Sequence, residues 1–263
     1  MKKRKRLEKM MEKKRRRKEQ DKAVKLARAV AEGRDLDEER RVQEANAASG
    51  AGHARREQKW LRRIEEAKNR FKVCVDCSYE DQMTQKEIGS LSTQIRYCYA
   101  INKRSPNPVF LSVPSLSGET YEKLAKVEGF PERWKARAFS WSDKSLVEMH
   151  AAERAKLVML TSDAENTLEH LDDGKIYVIG GIVDRNRLKF ATKDRAEELG
   201  IETACLPISD HLKLFSTRVL TCNHVFDILL KYRQHGNDWK KAMLDVLPKR
   251  KDAQEGNEGG GGG

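Results

Sequence analysis

No run of about 18 apolar residues occurs in this 263-residue chain, which leaves no candidate for a membrane-spanning helix. Cysteine is scarce. Its five positions, Cys74, Cys77, Cys98, Cys205 and Cys222, are odd in number and scattered. That pattern argues against a disulfide framework and for a reducing compartment. Cys74-x-x-Cys77 finds no second cysteine pair or paired histidine to complete a zinc site. At a spacing of three along a strand the two thiols face opposite ways, so buried structural thiols are expected. G-x-G-x-x-G after the first strand, G-x-x-x-x-G-K-[ST], G-x-S-x-G and H-E-x-x-H are all missing. Their absence removes the common grounds for dinucleotide binding, NTP hydrolysis, esterase chemistry and zincin chemistry.

Charge is what the chain has in excess, and it is unevenly spread. Residues 1–70 hold 25 Lys+Arg against 13 Asp+Glu, a net of +12; the remaining 193 residues hold 28 of each. A basic arm on a neutral body is the footprint of a polyanion binder, most often a nucleic acid. An anionic membrane surface is the other option, but the arm lacks a clear apolar face for lying on one. KKRKR at 2–6 reads as a nuclear localisation patch. Glu8, Glu12 and Glu19 interrupt too early for a mitochondrial transit peptide. The nucleus, the cytoplasm or both are therefore the expected location, with mitochondria less favoured.

Three domains are expected: a helix-prone basic arm over 1–70 with a small-residue linker at 45–53, a globular body over 71–250, and a disordered Gly-rich tail over 251–263. The body opens with a strand at 71–77 that ends at Asp76 and Ser78. A helix over 80–102 follows, with Ile88, Leu91, Ile95 and Cys98 on one apolar stripe and Lys86, Arg96 and Lys103 on the other face. Further strands are expected at 108–113, 156–160 and 202–208. Helices are expected near 121–127, from Ser162 or Asp163 through Leu171, and over 192–199, 220–234 and 238–247. The stretches FPERW and AFSW read as an aromatic loop. Strands alternating with helices, with no Asn-Gly hairpins, imply an α/β fold with a largely parallel sheet.

The chain is organised around 175–189, KIYVIGGIVDRNRLK. A β-branched and aromatic strand runs into Gly180-Gly181, which lets backbone or ligand approach closely because no Cβ stands in the way. Ligands of open α/β sheets bind beyond the carboxyl ends of the strands. Asp184 then supplies an acid or base, and Arg185, Arg187 and Lys189 a phosphate-attracting rim. On its own the same stretch also fits a tight βα turn with a solvated charge run.

VDCSYEDQM (75–83), KEIGSLSTQI (86–95), LTSDAEN (160–166), YVIGGIVDRNRLK (177–189), LPI (206–208) and RVLTCNHVFDILL (218–230), in that order, resemble the tRNA (guanine-9, N1)-methyltransferase family of the SPOUT superfamily. The resemblance covers about 71–250. It implies a trefoil-knotted α/β domain that acts as a monomer and binds S-adenosylmethionine in its knot loops. It implies cofactor contacts at Leu160, Thr161, Gly180, Gly181, Arg185, Asn186, Lys189, Cys205, Leu206, Pro207, Leu220, Thr221 and Asn223. Cys205 is expected to contribute backbone rather than its thiol. Asp184 matches the carboxylate usually assigned as general base, and Gln94 a residue the family places near RNA. Lys86, Arg96, Lys103, Arg185 and Arg187 complete the expected RNA contacts, and the partner is tRNA rather than DNA or a membrane.

The residue types suit that chemistry. Methyl transfer from a sulfonium needs no metal. Guanine N1 carries a proton and is a poor nucleophile, so a carboxylate held against it, its pKa raised by burial, can take that proton as the methyl arrives. The target base must first be exposed from folded tRNA, and phosphate contacts help supply that energy. Plainer readings stand beside these: Asn223 and His224 as a helix N-cap region, Asp184 as a helix-start carboxylate, and the α-helical lysines and arginines as solvated charges. From another class, the chain could be a weakly catalytic tRNA-binding subunit of a mitochondrial tRNA-processing complex.

Overall fold

The computed structural model describes residues 51–184, 187–213 and 220–247 continuously, together with 254–255 and scattered positions between 10 and 41. The chain divides into two compact units, 1–60 and 61–263. In the first, most described positions from 10 to 31 are helical. Helix α1 (Ala51–Ala67) starts where the linker at 45–53 was expected to end, so its last three residues are helical; 45–50 lie outside the described residues. No helix among the described residues is long and apolar enough to cross a membrane.

The second unit is built on six parallel strands in the order β3-β2-β1-β5-β4-β6. They are β1 (Lys72–Asp76), β2 (Leu111–Val113), β3 (Phe139–Trp141), β4 (Leu157–Leu160), β5 (Ile176–Gly180) and β6 (Glu202–Ala204). Helix α2 (Gln85–Arg104) follows β1, then come α3 (Gly118–Ala125), α4 (Glu132–Lys135) and α5 (Leu146–Met149). Helix α6 (Ala191–Glu198) joins β5 to β6. A single turn, α7 (Ile208–His211), leads to β7 (Leu212–Lys213), and α8 (Cys222–Gln234) and α9 (Trp239–Val246) follow. A short β8 (Gln254–Glu255) pairs antiparallel with β7.

Every residue of β4 and β5 is buried, as expected for a parallel sheet covered on both faces. Val73, Val75 and Cys77 join the larger core with α2, α8 and α9, while Cys74 joins a smaller one with Leu146 of α5 and Ala196 of α6. The two thiols of the C-x-x-C stretch thus face opposite ways. Helix α2 begins at a capping box between Thr84 and Glu87. It ends at Ser105, which Pro106 holds out of the helical region.

Local pattern misjudged several elements. The helix expected from Ser162 or Asp163 to Leu171 does not form. Thr167 bridges Cys205 instead, with Cys205 N–H donating to Asn166 O (2.8 Å) and Leu168 N–H to Cys205 O (2.8 Å). The strand expected over 202–208 stops at Ala204, and Ile208 starts a helical turn. The strand at 108–113 shrinks to Leu111–Val113, because the Asn102 side chain engages both the N–H (3.0 Å) and the C=O (2.8 Å) of Val109. β3 occupies part of the expected aromatic loop, paired to β2.

Candidate active site

Because the strands are parallel, β4, β5 and β6 end on one edge of the sheet, and their following loops enclose one cleft of about 180 Å³. Leu160 and Thr161 line it after β4, Gly180 and Asp184 after β5, and Cys205 and Leu206 after β6. Leu220 and Cys222 close it from the start of α8. Of the other expected cofactor residues, Gly181, Lys189, Pro207, Thr221 and Asn223 do not line this cleft. Arg185 and Asn186 lie outside the described residues.

The loop after β5 is fastened to the segment after β1. Gly181 N–H donates to Asp76 O (2.8 Å), Val183 N–H to Met83 Sδ (3.3 Å), and Arg187 Nη2 to Gln82 O (2.9 Å). A Cβ on Gly181 would stand 2.5 Å from Asp76 O, so this glycine serves backbone-to-backbone packing rather than a ligand. A Cβ on Gly180 would meet the Thr192 hydroxyl, part of the cleft wall, at 2.8 Å. Within the loop, one Asp184 carboxylate oxygen accepts from Leu188 N–H, and the Asp184 C=O accepts from Arg187 N–H (3.2 Å). The carboxylate is half-buried, held in a turn and on the cleft wall. It is not a helix-start residue, since α6 begins seven residues later.

Gln94 corrects an expectation. It is only 6% exposed; its Oε1 accepts from Cys222 N–H (2.9 Å) and its Nε2 donates to Ser90 Oγ (3.2 Å). It satisfies an orphan donor at the start of α8, where Thr221 makes no side-chain cap, and it presents nothing to RNA at the surface. Cys222 donates its thiol to Gly180 O (3.3 Å), and burial pushes its pKa up to about 12, so it is a neutral wall and not a nucleophile. Cys205 N–H donates to Asn166 O and its C=O accepts from Leu168 N–H, which leaves the second lone pair of that C=O as the open backbone acceptor of this residue.

A buried ion pair escaped the sequence reading. Asp76 is fully buried and accepts from Arg195 Nε (3.0 Å), Ser78 Oγ (3.0 Å) and Ser115 Oγ (3.2 Å). The Arg195 guanidinium also lies over the Tyr79 ring (5.8 Å), whose hydroxyl pKa burial raises. The pair ties α6 to the carboxyl end of β1. Only the position of an aspartate at the end of a buried strand could have signalled it.

Lys86, Arg96 and Lys103 are exposed on α2, and no ion pair or hydrogen bond engages them among the described residues. Tyr97, 55% exposed, shares their side of the helix. Arg187 is less available than expected, since it also pairs with Glu87 (3.3 Å).

A family model described as tRNA (guanine(9)-N(1))-methyltransferase TRM10/TRM10A matches residues 1–252. The tRNA (guanine(9)-N1)-methyltransferase of Schizosaccharomyces pombe is 39% identical over 185 residues, covering 69% of this chain and 59% of that protein. The tRNA methyltransferase 10 homolog A of Mus musculus is 38% identical over 190 residues, covering 71% and 56%. The chain therefore spans somewhat more than half the length of these curated relatives. A solved structure of full-length spTrm10 with SAH superposes with a TM-score of 0.62 at 36% identity, covering 68% of this chain and 95% of that one. The dual-specific Trm10 of Thermococcus kodakaraensis shares the fold, with a TM-score of 0.54 at 24% identity over 67% of this chain and 99% of that one. With the family model matched over nearly its whole length, the chain belongs to the tRNA (guanine(9)-N(1))-methyltransferase TRM10/TRM10A family.

Proposed function

We propose that this chain is an S-adenosylmethionine-dependent methyltransferase that modifies N1 of the purine, guanine foremost, at position 9 of tRNA. The observation that carries the reading is the convergence of three strand ends on one cleft with the Asp184 carboxylate in its wall.

The cleft fits the cofactor by its chemistry. Leu160, Ile179, Leu206, Ile208, Leu220 and Val225 offer apolar surface to a flat ring, and Thr161, Ser209 and Asp163 offer polar partners to a ribose and a charged amino acid moiety. Bound there, S-adenosylmethionine supplies a methyl group whose bond to sulfur breaks as its bond to N1 forms. Asp184 accepts the N1 proton at a carboxylate oxygen, which leaves the N1 electron pair for that bond. The fastened loop holds the carboxylate in place.

Lys86, Arg96 and Lys103 are assigned to tRNA phosphates, joined by Arg187 and Arg185, and the basic arm adds a longer-range field. Arg185, Asn186, Lys189, Pro207, Thr221 and Asn223 are proposed as cofactor contacts on the family resemblance rather than on the lining of the cleft. The proposal extends to a knotted, monomeric body over 71–250 and to a nuclear or cytoplasmic location. The relatives are themselves named as methyltransferases, which does not favour a merely tRNA-binding subunit. Incubating the full chain with tRNA transcripts and methyl-labelled cofactor tests the proposal. N1-methylated purine at position 9 is expected; binding of tRNA without transfer would overturn it.

A further inference from the structure

Phe190 sits where local energetics argue against a phenylalanine. Its φ is +64°, in the left-handed region where a bulky side chain is an outlier. It occupies the N-cap position of α6 with no side-chain hydrogen bond to give, a place that favours Ser, Thr, Asp, Asn or Gly. The residue is nevertheless 52% exposed, so burial offsets little of either cost. The backbone is held there by the helix that follows: Asp194 N–H donates to Phe190 O (2.8 Å), and the Asp76–Arg195 pair anchors that helix to the end of β1. Strain that the surroundings over-determine, at a residue on a cleft wall, points to a use for the side chain. Phe190 lines the same cleft as Asp184.

On these grounds, and resting on the methyltransferase reading above, we infer that Phe190 is the stacking platform for the acceptor purine of the RNA. A base taken out of a folded RNA loses its stacking partners, and an aromatic face at the mouth of the cleft replaces one of them. The half-exposed ring suits a base arriving from solvent. Leu206 and Leu220, also on the cleft wall, are left to the adenine of the cofactor. Phe190 would thus hold the purine flat while Asp184, six residues earlier in the chain, meets its N1 edge.

Two variants and a fluorescent substrate test this. Phe190→Gly is expected to melt at or above the wild-type temperature, since glycine accepts the backbone conformation, and to bind S-adenosylhomocysteine as the wild type does. Its single-turnover methylation of tRNA should fall about tenfold. Phe190→Leu should be equally slow, and Phe190→Trp should stay within twofold of wild type. In parallel, tRNA carrying 2-aminopurine at position 9, quenched by stacking in the free tRNA, should brighten less on binding wild type and Phe190→Trp than on binding Phe190→Gly, where the extruded base meets no aromatic face. Equal brightening with wild type and Phe190→Gly overturns the inference. So does a wild-type rate in Phe190→Leu, or a loss of S-adenosylhomocysteine affinity in Phe190→Gly that matches its loss of rate, which would put the ring on the cofactor. A wild-type protein that brightens the probe less than Phe190→Gly does and transfers no methyl group supports the stacking role and overturns only the reading beneath it.

Discussion

Gly180 and Gly181 are neighbours with different tasks. An alanine at 181 would drive its Cβ to 2.5 Å from the Asp76 carbonyl, a backbone atom that cannot turn aside. Gly181→Ala should therefore cost about 1–3 kcal/mol of stability, read as a fall in melting temperature, and displace the Asp184 loop with it. Gly180→Ala meets only the Thr192 side chain, which can rotate. It should melt closer to wild type and lose cofactor affinity instead, because Thr192 lines the cleft. His150 gives a second test at this scale. It is buried beside Ser112, its Nε2 3.0 Å from the hydroxyl, and burial lowers its pKa below the ordinary value of 6.5, Glu153 opposing the shift and Lys72 adding to it. The unfolded chain then binds the proton first as pH falls, so stability is full above about 6.5 and declines until the folded-state pKa is passed. Melting temperature should drop from pH 7.5 to 5.5, and His150→Gln should flatten that segment of the profile.

Among the elements, α8 depends on α2 for its first turn. Removing the amide in Gln94→Ala leaves the Cys222 N–H without its acceptor in a buried place, at a cost of about 1–3 kcal/mol. Because Cys222 is a wall of the cleft, the KM for cofactor should rise as the melting temperature falls; a variant that melts earlier with an unchanged KM would separate the two. The same contact shows what the sequence could and could not disclose. Strand β5, the Gly-Gly turn and α8 were legible because their signals are local: a β-branched run, two residues without a Cβ, and an apolar stripe at helical spacing. The cap from Gln94 joins residues 128 apart, and the Asp76–Arg195 pair residues 119 apart, so no local pattern announces either. Likewise 162–171 carries a good helix start, yet its backbone pairs across 38 residues with Cys205, and the non-local bridge wins. Leu160, Thr161, Gly180, Asp184, Cys205 and Leu206 line the cleft because the family motifs that carry them fall at strand ends, and Leu220 lines it from the start of α8. Phe190 was not, because its meaning lies in a backbone angle.

For the whole molecule, the balance of charge separates an arm from a neutral body. Residues 1–50 hold 18 Lys+Arg and 10 Asp+Glu, a net of +8. Deleting them should leave the melting temperature of the body nearly unchanged, lower tRNA affinity, and flatten the slope of log affinity against log salt. An unchanged slope would mean that the arm does not meet phosphate. The central claim is that the cleft assembled by β4, β5 and β6 performs base-assisted methyl transfer through Asp184. It is tested most directly by single-turnover methylation of tRNA by Asp184→Asn at saturating cofactor, alongside S-adenosylhomocysteine binding. The account predicts unchanged binding with a rate lowered about 10²–10⁴-fold across pH; a rate within a few-fold of wild type, with binding intact, would contradict it.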